Sequence, residues 1–380
     1  MLRFCCIILF CLLFSCSGKK KAEPPTEITN EKETVESFIP DSVATAQKKW
    51  NDLASFISGS SLDEDNEFFS PAQTDEWQNY RQQMDSLWIE FELKTQHITP
   101  WQKQNLPEII DTILYPFSGP DIPYLMLFYP NASCYYLLAL EPVGSVLPSS
   151  IWEKTTDSND INKTYDSYFR TVSGVLSSSF FKTEEMREDF SSSDMDGVLP
   201  ILIMLLNRTG NEILSVSPGL FNDDGIFMAN DTCEQSVEIV FRKQQEKKIK
   251  RLYYVSCNLS NRGISENKPL QALLEKKEVG IFIKSASYLM HNAGFSRIKN
   301  TLLRNAVLLV QDDSGIPYTA FSQSTWNIIL YGHYSKPIFL FRRYFQEKLA
   351  DAYKDSLLIQ PIDFRFGYDA ESNLLIAKKK

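Results

Sequence analysis

Apolar positions spaced three and four apart dominate the first part of the chain. Val43, Ala46, Trp50, Leu53, Ala54 and Ile57 predict a helix over 41–57, capped by Asp41 or Ser42 and stopped by Gly59. A second helix is expected over 71–94. Ser70 is its cap, Pro71 suits its first turn, and Trp77, Tyr80, Met84, Leu87, Trp88 and Phe91 make its packing face. From Leu106 the pattern changes to short apolar runs between Pro and Gly turns. The runs 124–129 and 135–140 have the length of buried strands, although periodicity alone does not separate the first from a short helix. Glu141 directly follows the second run. It reads as a solvent-facing strand end, with a buried partner for a base as the alternative.

A polar loop over 152–162 precedes a helix over 162–181, with Tyr165, Tyr168, Phe169, Val172, Val175, Leu176 and Phe180 on one side. After the break at Ser191-Ser192-Ser193, the run 198–206 is apolar all round and predicts a central buried helix. Short strands are expected over 213–216 and 225–228. Alternation at Val237, Ile239 and Phe241, answered by 252–257, predicts a hairpin. Helices are then expected over 268–277, 285–292, 296–304 and 339–353, the last with Phe341, Tyr344, Phe345 and Ala352 inward. Strands are expected over 279–284, 306–310, 316–321, 326–331 and 362–366, with 316–321 the hairpin partner of 306–310 and residues 378–380 frayed. Helices gather early and strands late. The expected class is α+β, a helical N-terminal part followed by a largely antiparallel sheet with packed helices.

The first residues set a different expectation. An apolar run, Phe4 to Phe14, follows Arg3 and ends at Leu13-Phe14-Ser15-Cys16. It is too short to span a bilayer. This stretch resembles a bacterial lipoprotein signal peptide, although Phe14 is bulkier than the residue usual at its place. The resemblance implies cleavage before Cys16 and acyl chains on Cys16, and so a body held at the cell envelope, on an inner or outer membrane, outside the cytoplasm. More than one chain makes such attachment stable, and Lys19-Lys20-Lys21 can add attraction to anionic lipid. The expected organisation is a leader over 1–15, a flexible polar tether over 16–38 and a body over 39–380, with a possible helical subdomain over 39–105.

Composition narrows the function classes. With 380 residues, 43% of them hydrophobic, the chain has material for one large or two ordinary domains. A net charge of −9 argues against a nucleic-acid partner. Beyond the leader and its end remain three cysteines, Cys134, Cys233 and Cys257. The hairpin brings Cys233 and Cys257 opposite each other, as a disulfide or, the favoured reading, as two buried free thiols. No metal-ligand spacing, phosphate loop, dinucleotide fingerprint or nucleophile elbow occurs, so neither a metal nor a cofactor is expected.

Two turns concentrate polar groups among apolar neighbours: Ser118-Gly119-Pro120-Asp121, and Gln311-Asp312-Asp313-Ser314-Gly315 with Tyr318. Adjacent carboxylates can divide acid and base roles, and a serine beside a base can act as a nucleophile. Asp and Gly also serve ordinary turn geometry. His291 and His333 read first as packed or surface side chains. Residues 115–121 and 311–318 are similar to segments of uncharacterised lipoproteins of host-associated bacteria, a resemblance that implies no activity. The leading expectation is an envelope lipoprotein with a binding or structural role. Its rival is an extracytoplasmic hydrolase using Asp121, Asp312, Asp313, Ser118, Tyr318 or His291. A small-ligand binding protein with an aromatic-lined cleft is the third. What separates them is whether the two turns converge.

Overall fold

The computed structural model describes residues 41–107, 110–144, 158–177, 196–355, 359–368 and 372–380. The leader, the tether, Cys16, the lysines at 19–21, the loop 152–157, Phe180 and the serine break lie outside them, as do the side chains of Asp41, Ser42 and Val43. Asp41–Lys380 forms one compact unit.

In chain order the helices are α1 (Asp41–Ile57), α2 (Asp75–Thr95), α3 (Ile98–Asn105), α4 (Ile122–Phe128), α5 (Ser158–Ser177), α6 (Leu199–Arg208), α7 (Asn261–Glu266), α8 (Lys268–Leu274), α9 (Ser296–Asn305) and α10 (Glu347–Ala352). The strands are β1 (Thr112–Pro116), β2 (Cys134–Ala139), β3 (Asn211–Phe221), β4 (Phe227–Ala229), β5 (Ser236–Lys243), β6 (Ile249–Ser256), β7 (Val279–Ile283), β8 (Ala306–Gln311), β9 (Trp326–Gly332), β10 (Ile359–Gln360) and β11 (Asn373–Lys379). They make one mixed sheet in the order β10-β9-β11-β8-β7-β1-β2-β6-β5-β3-β4.

The protein is α+β as expected, but the antiparallel pairs are confined to the wings. The central five strands, β8-β7-β1-β2-β6, run parallel. A parallel centre needs cover on both faces, and successive side chains divide accordingly. Tyr135 and Leu137 face one core with α1, α2 and α6; Tyr136 and Leu138 face a second with α7, α8 and α9. The helices of 39–105 pack onto the sheet: Asn51 of α1 bonds the main chain of Ile213 in β3, and Trp101 of α3 lies 5.1 Å from Tyr331 of β9. Residues Leu199 to Leu206 of α6 are all fully buried, which fits the unbroken apolar run.

Several local expectations are corrected. Residues 122–128 form α4, not a strand; Pro123 has no N–H for a ladder yet fits a helix's first turn. Ser70 only precedes a short 3-10 turn (Pro71–Gln73) and makes no side-chain cap bond there, while α2 is capped by Thr74, whose hydroxyl accepts from Trp77 N–H at 3.4 Å. Residues 316–321 leave the sheet because Gln311 closes a loop on Ile316, accepting from its N–H (2.8 Å) and donating to its carbonyl (2.7 Å). The antiparallel partner of β8 is β11 instead. Residues 362–366 are irregular, with Phe364 and Phe366 buried. Lys378 and Lys379 belong to β11, and Lys380 N–H bonds Thr325 at 3.0 Å, so the end does not fray. The segment 339–353 divides into a 3-10 turn (Phe339–Tyr344) and α10, with Phe345 exposed.

Candidate functional site

The chain passes from β1 to β2 on one side, and after β6 it returns to place β7 on β1's other side. The two connections carry helices on opposite faces, α4 on one and α7 with α8 on the other. Where such paths part beyond the carboxyl ends of parallel strands, a crevice forms, and ligands bind there in open sheets of this kind. Here it lies between residues 117–121, which follow β1, and 284–287, which follow β7. Its volume is about 160 Å³. One water needs roughly 10–15 Å³ by such a measure, so a small organic molecule fits.

The backbone around the crevice is unusual. Six non-glycine residues among the described residues have positive φ; three of them line this place, Phe117 (59°), Ser285 (53°) and Ser287 (54°), and Tyr288 (54°) follows the last in sequence. This strain replaces the helix expected over 285–292, of which a 3-10 turn, Leu289–His291, remains. Strain of this kind persists only where surrounding contacts enforce it, and it clusters at sites of function.

At the crevice floor Asp121 is buried against Lys284. Asp121 Oδ2 accepts from Lys284 Nζ and from Tyr115 Oη, both at 2.8 Å. The ammonium also lies 4.2 Å from the centre of the Tyr124 ring. Burial, then the Asp121 charge, pushes the Tyr115 hydroxyl well above its usual pKa, so it stays a donor. Two buried oxygens here, Asp121 Oδ1 and Ser118 Oγ, have no hydrogen-bond partner among the described residues. Leu140, Val175 and Phe295 add apolar wall.

The second turn lies at the adjoining strand end, after β8. Asp312 is 1% exposed. Its Oδ2 accepts from Ser285 N–H (2.9 Å), and its Oδ1 from Ser314 Oγ (2.5 Å) and Ser314 N–H (3.2 Å). Burial, then the Asp313 charge, raises its pKa well above the carboxylate range, against those donors and Lys284. Asp313 accepts from Tyr288 Oη and from Asn373 Nδ2 (2.9 Å), while its N–H donates to Asn373 Oδ1 at 2.8 Å. His291 is packed beside this turn, its Nε2 buried without a hydrogen-bond partner among the described residues, and burial lowers its pKa to about 4.

The two turns are thus neighbours bridged by Lys284 and Ser285, and they do not merge into one pocket. Asp312 and Asp313 are absent from the crevice wall. Tyr318 sits beyond them, its N–H bonded to Gln346 Oε1 at 2.8 Å. Ser118 has no histidine in its surroundings: His291 lies with Asp313, His97 pairs with Asp363 (3.1 Å), and His333 borders a separate groove with His97. Glu141 corrects the expectation of a solvated strand end. It is 5% exposed and borders the crevice, and its carbonyl accepts from Tyr254 Oη at 3.1 Å. Cys134, Cys233 and Cys257 are free thiols, so the 233–257 disulfide does not form. Cys257 N–H donates to Ala139 at 2.7 Å, turning that residue toward β2, and burial pushes its thiol up to about 12. No group of three or more His, Cys, Asp or Glu side chains among the described residues is placed to hold a metal.

Sequence reasoning missed Lys284, Tyr115 and Ser314. The signal was present: Lys284 directly follows the five-residue apolar run of β7, as Asp312 directly follows β8, and Glu141 stands two residues beyond the end of β2. A charged residue closing a fully buried strand marks the carboxyl edge of a parallel sheet. Comparison with known protein families and with curated sequences finds no match to this chain.

Proposed function

We propose that this protein binds a small organic ligand carrying hydroxyl or ammonium donors in the crevice between β1 and β7, and that acyl chains on Cys16 hold it at the bacterial cell envelope. The observation that carries the binding reading is the pair of unsatisfied buried oxygens, Asp121 Oδ1 and Ser118 Oγ. An unsatisfied buried polar atom costs about 1–3 kcal/mol. A carboxylate oxygen only accepts, so the ligand that relieves it must donate. The apolar wall of Leu140, Val175 and Phe295 suits a ligand with a hydrocarbon part beside its donors. A hydrolytic step in this crevice would draw on Ser118 and Asp121. Support for the envelope address is the leader pattern ending at Cys16; no helix among the described residues is long and apolar enough to cross a membrane.

Ligand-observed NMR with a panel of polyols, sugars, amino acids and amines tests the binding. At least one member is expected to bind the parent, and Ser118→Ala is expected to weaken it about tenfold with folding unchanged. Full-strength binding to both Ser118→Ala and the crevice-blocking Leu140→Arg would remove the site. Mass spectrometry of the N-terminus tests the address, and a mature chain without lipid on Cys16 would end it.

A further inference from the structure

One surface segment departs from the rest. Phe339 and Leu340 are 80% and 71% exposed, the two most exposed large apolar side chains among the described residues, and Phe345 is 50% exposed. Within 336–348 stand four exposed cations, Lys336, Arg342, Arg343 and Lys348, with Glu347 the one acidic residue. The chain as a whole carries −9, so this basic fringe is a local reversal of sign. Charge and apolar surface are also interleaved. The guanidinium of Arg342 lies 4.7 Å from the Phe339 ring centre, and that of Arg343 lies 4.7 Å from the Tyr344 ring centre.

The backbone sorts these side chains. The 3-10 turn is broken at Phe341, with φ −110° and ψ 18°. Phe341 and Tyr344 turn inward onto Tyr288, at 5.0 and 5.2 Å between ring centres, which leaves Phe339, Leu340 and Phe345 outward. Gln346 fastens the segment to the body by donating to the Asp313 carbonyl at 2.8 Å.

We propose that residues 336–348 form a docking surface for an anionic lipid bilayer. Phenylalanine and leucine fringed by arginine and lysine seat at the boundary between headgroups and acyl chains, where each cation near anionic lipid strengthens binding about fivefold. A second copy of the chain fits poorly, because it would set four cations against four. The thirteen residues of the segment also fall short of the roughly 20–30 a side of a stable protein interface. Through Gln346 and Tyr288, docking would hold the Asp313 turn at the membrane surface.

Backbone hydrogen exchange of the full chain, read by mass spectrometry, tests this locally whatever else attaches the protein to lipid. The probes are phosphatidylcholine vesicles with and without about one-third phosphatidylglycerol. Peptides covering 338–346 are expected to exchange about fivefold more slowly on the anionic vesicles only. Arg342→Gln/Arg343→Gln and, separately, Phe339→Ser/Leu340→Ser should each abolish that protection. Equal exchange on both vesicle types overturns the proposal. So does protection that survives both double variants, or that rises with protein concentration without vesicles, the mark of self-association.

Discussion

Two carboxylate-bearing turns end neighbouring parts of the same sheet, yet their hydrogen bonds close very differently. After β8, both oxygens of Asp312 are met by the chain's own N–H and O–H groups. After β1, Asp121 is met on one oxygen only, and the Ser118 hydroxyl has no partner among the described residues. Residue type and burial are alike, so neither separates scaffold from site. The count of satisfied atoms does. A turn that answers its own polar groups holds the fold, whereas one that leaves acceptors open toward a crevice awaits something else.

The largest effect should come from breaking the buried pair. Lys284→Met leaves the buried Asp121 carboxyl without its cation and with Tyr115 Oη as its remaining side-chain donor, and urea unfolding should show a loss of about 3–5 kcal/mol. Removing both charges with Asp121→Leu/Lys284→Met should recover most of it; an equally unstable double variant would mean that packing, not charge, holds this place. Next comes Ser314→Ala. Its hydroxyl donates to Asp312 and accepts from Ala286 N–H at 2.7 Å, so the expected loss is about 1–3 kcal/mol. A negligible change would erase the contrast between the turns.

Stability against pH should come third. The raised pKa of Asp312 means its contribution is full below the ordinary aspartate value of about 3.9 and is lost as pH rises through the folded value. His291 is lowered to about 4, so its contribution is full above about 6.5 and is lost as pH falls toward 4. The two losses run in opposite senses across the same range, about pH 4 to 7, so they offset each other in the parent protein. Asp312→Asn should therefore leave thermal melting rising with pH over that range and His291→Phe leave it falling, and flat profiles in both variants would refute the assignment. Smallest is Ser118→Ala, which deletes a hydroxyl bonded to nothing among the described residues. Stability should not fall, because the deleted group is unsatisfied in the fold, and a loss would show that Ser118 has a structural partner.

Much of the fold was legible where one periodicity held. The helix 41–57, the α2 face and the β5–β6 hairpin follow from spacing alone, because each buries one side and exposes the other. Legibility failed where burial was two-sided. Residues 122–128 and the strands of the parallel centre show runs without period, so neither α4 nor the strand direction could be read from pattern. It failed again where side chains outweighed the ladder, as Gln311 does in diverting 316–321, and where strained backbone displaced the helix expected over 285–292. Both polar turns were visible as sequence. Their adjacency was not, since β7, which joins them through Lys284 and Ser285, lies far from β1 along the chain and was read only as another strand.

The placement of β11 has a consequence for assembly. It is the latest strand in the chain, yet it lies between β8 and β9, pairing with both. Until it arrives, β9 and β10 have no hydrogen-bonded link to the other strands, and β8 presents a bare edge. A ribosome still holding this stretch would therefore hold back the final zippering, so that Asp313 meets Asn373 only once β11 is released.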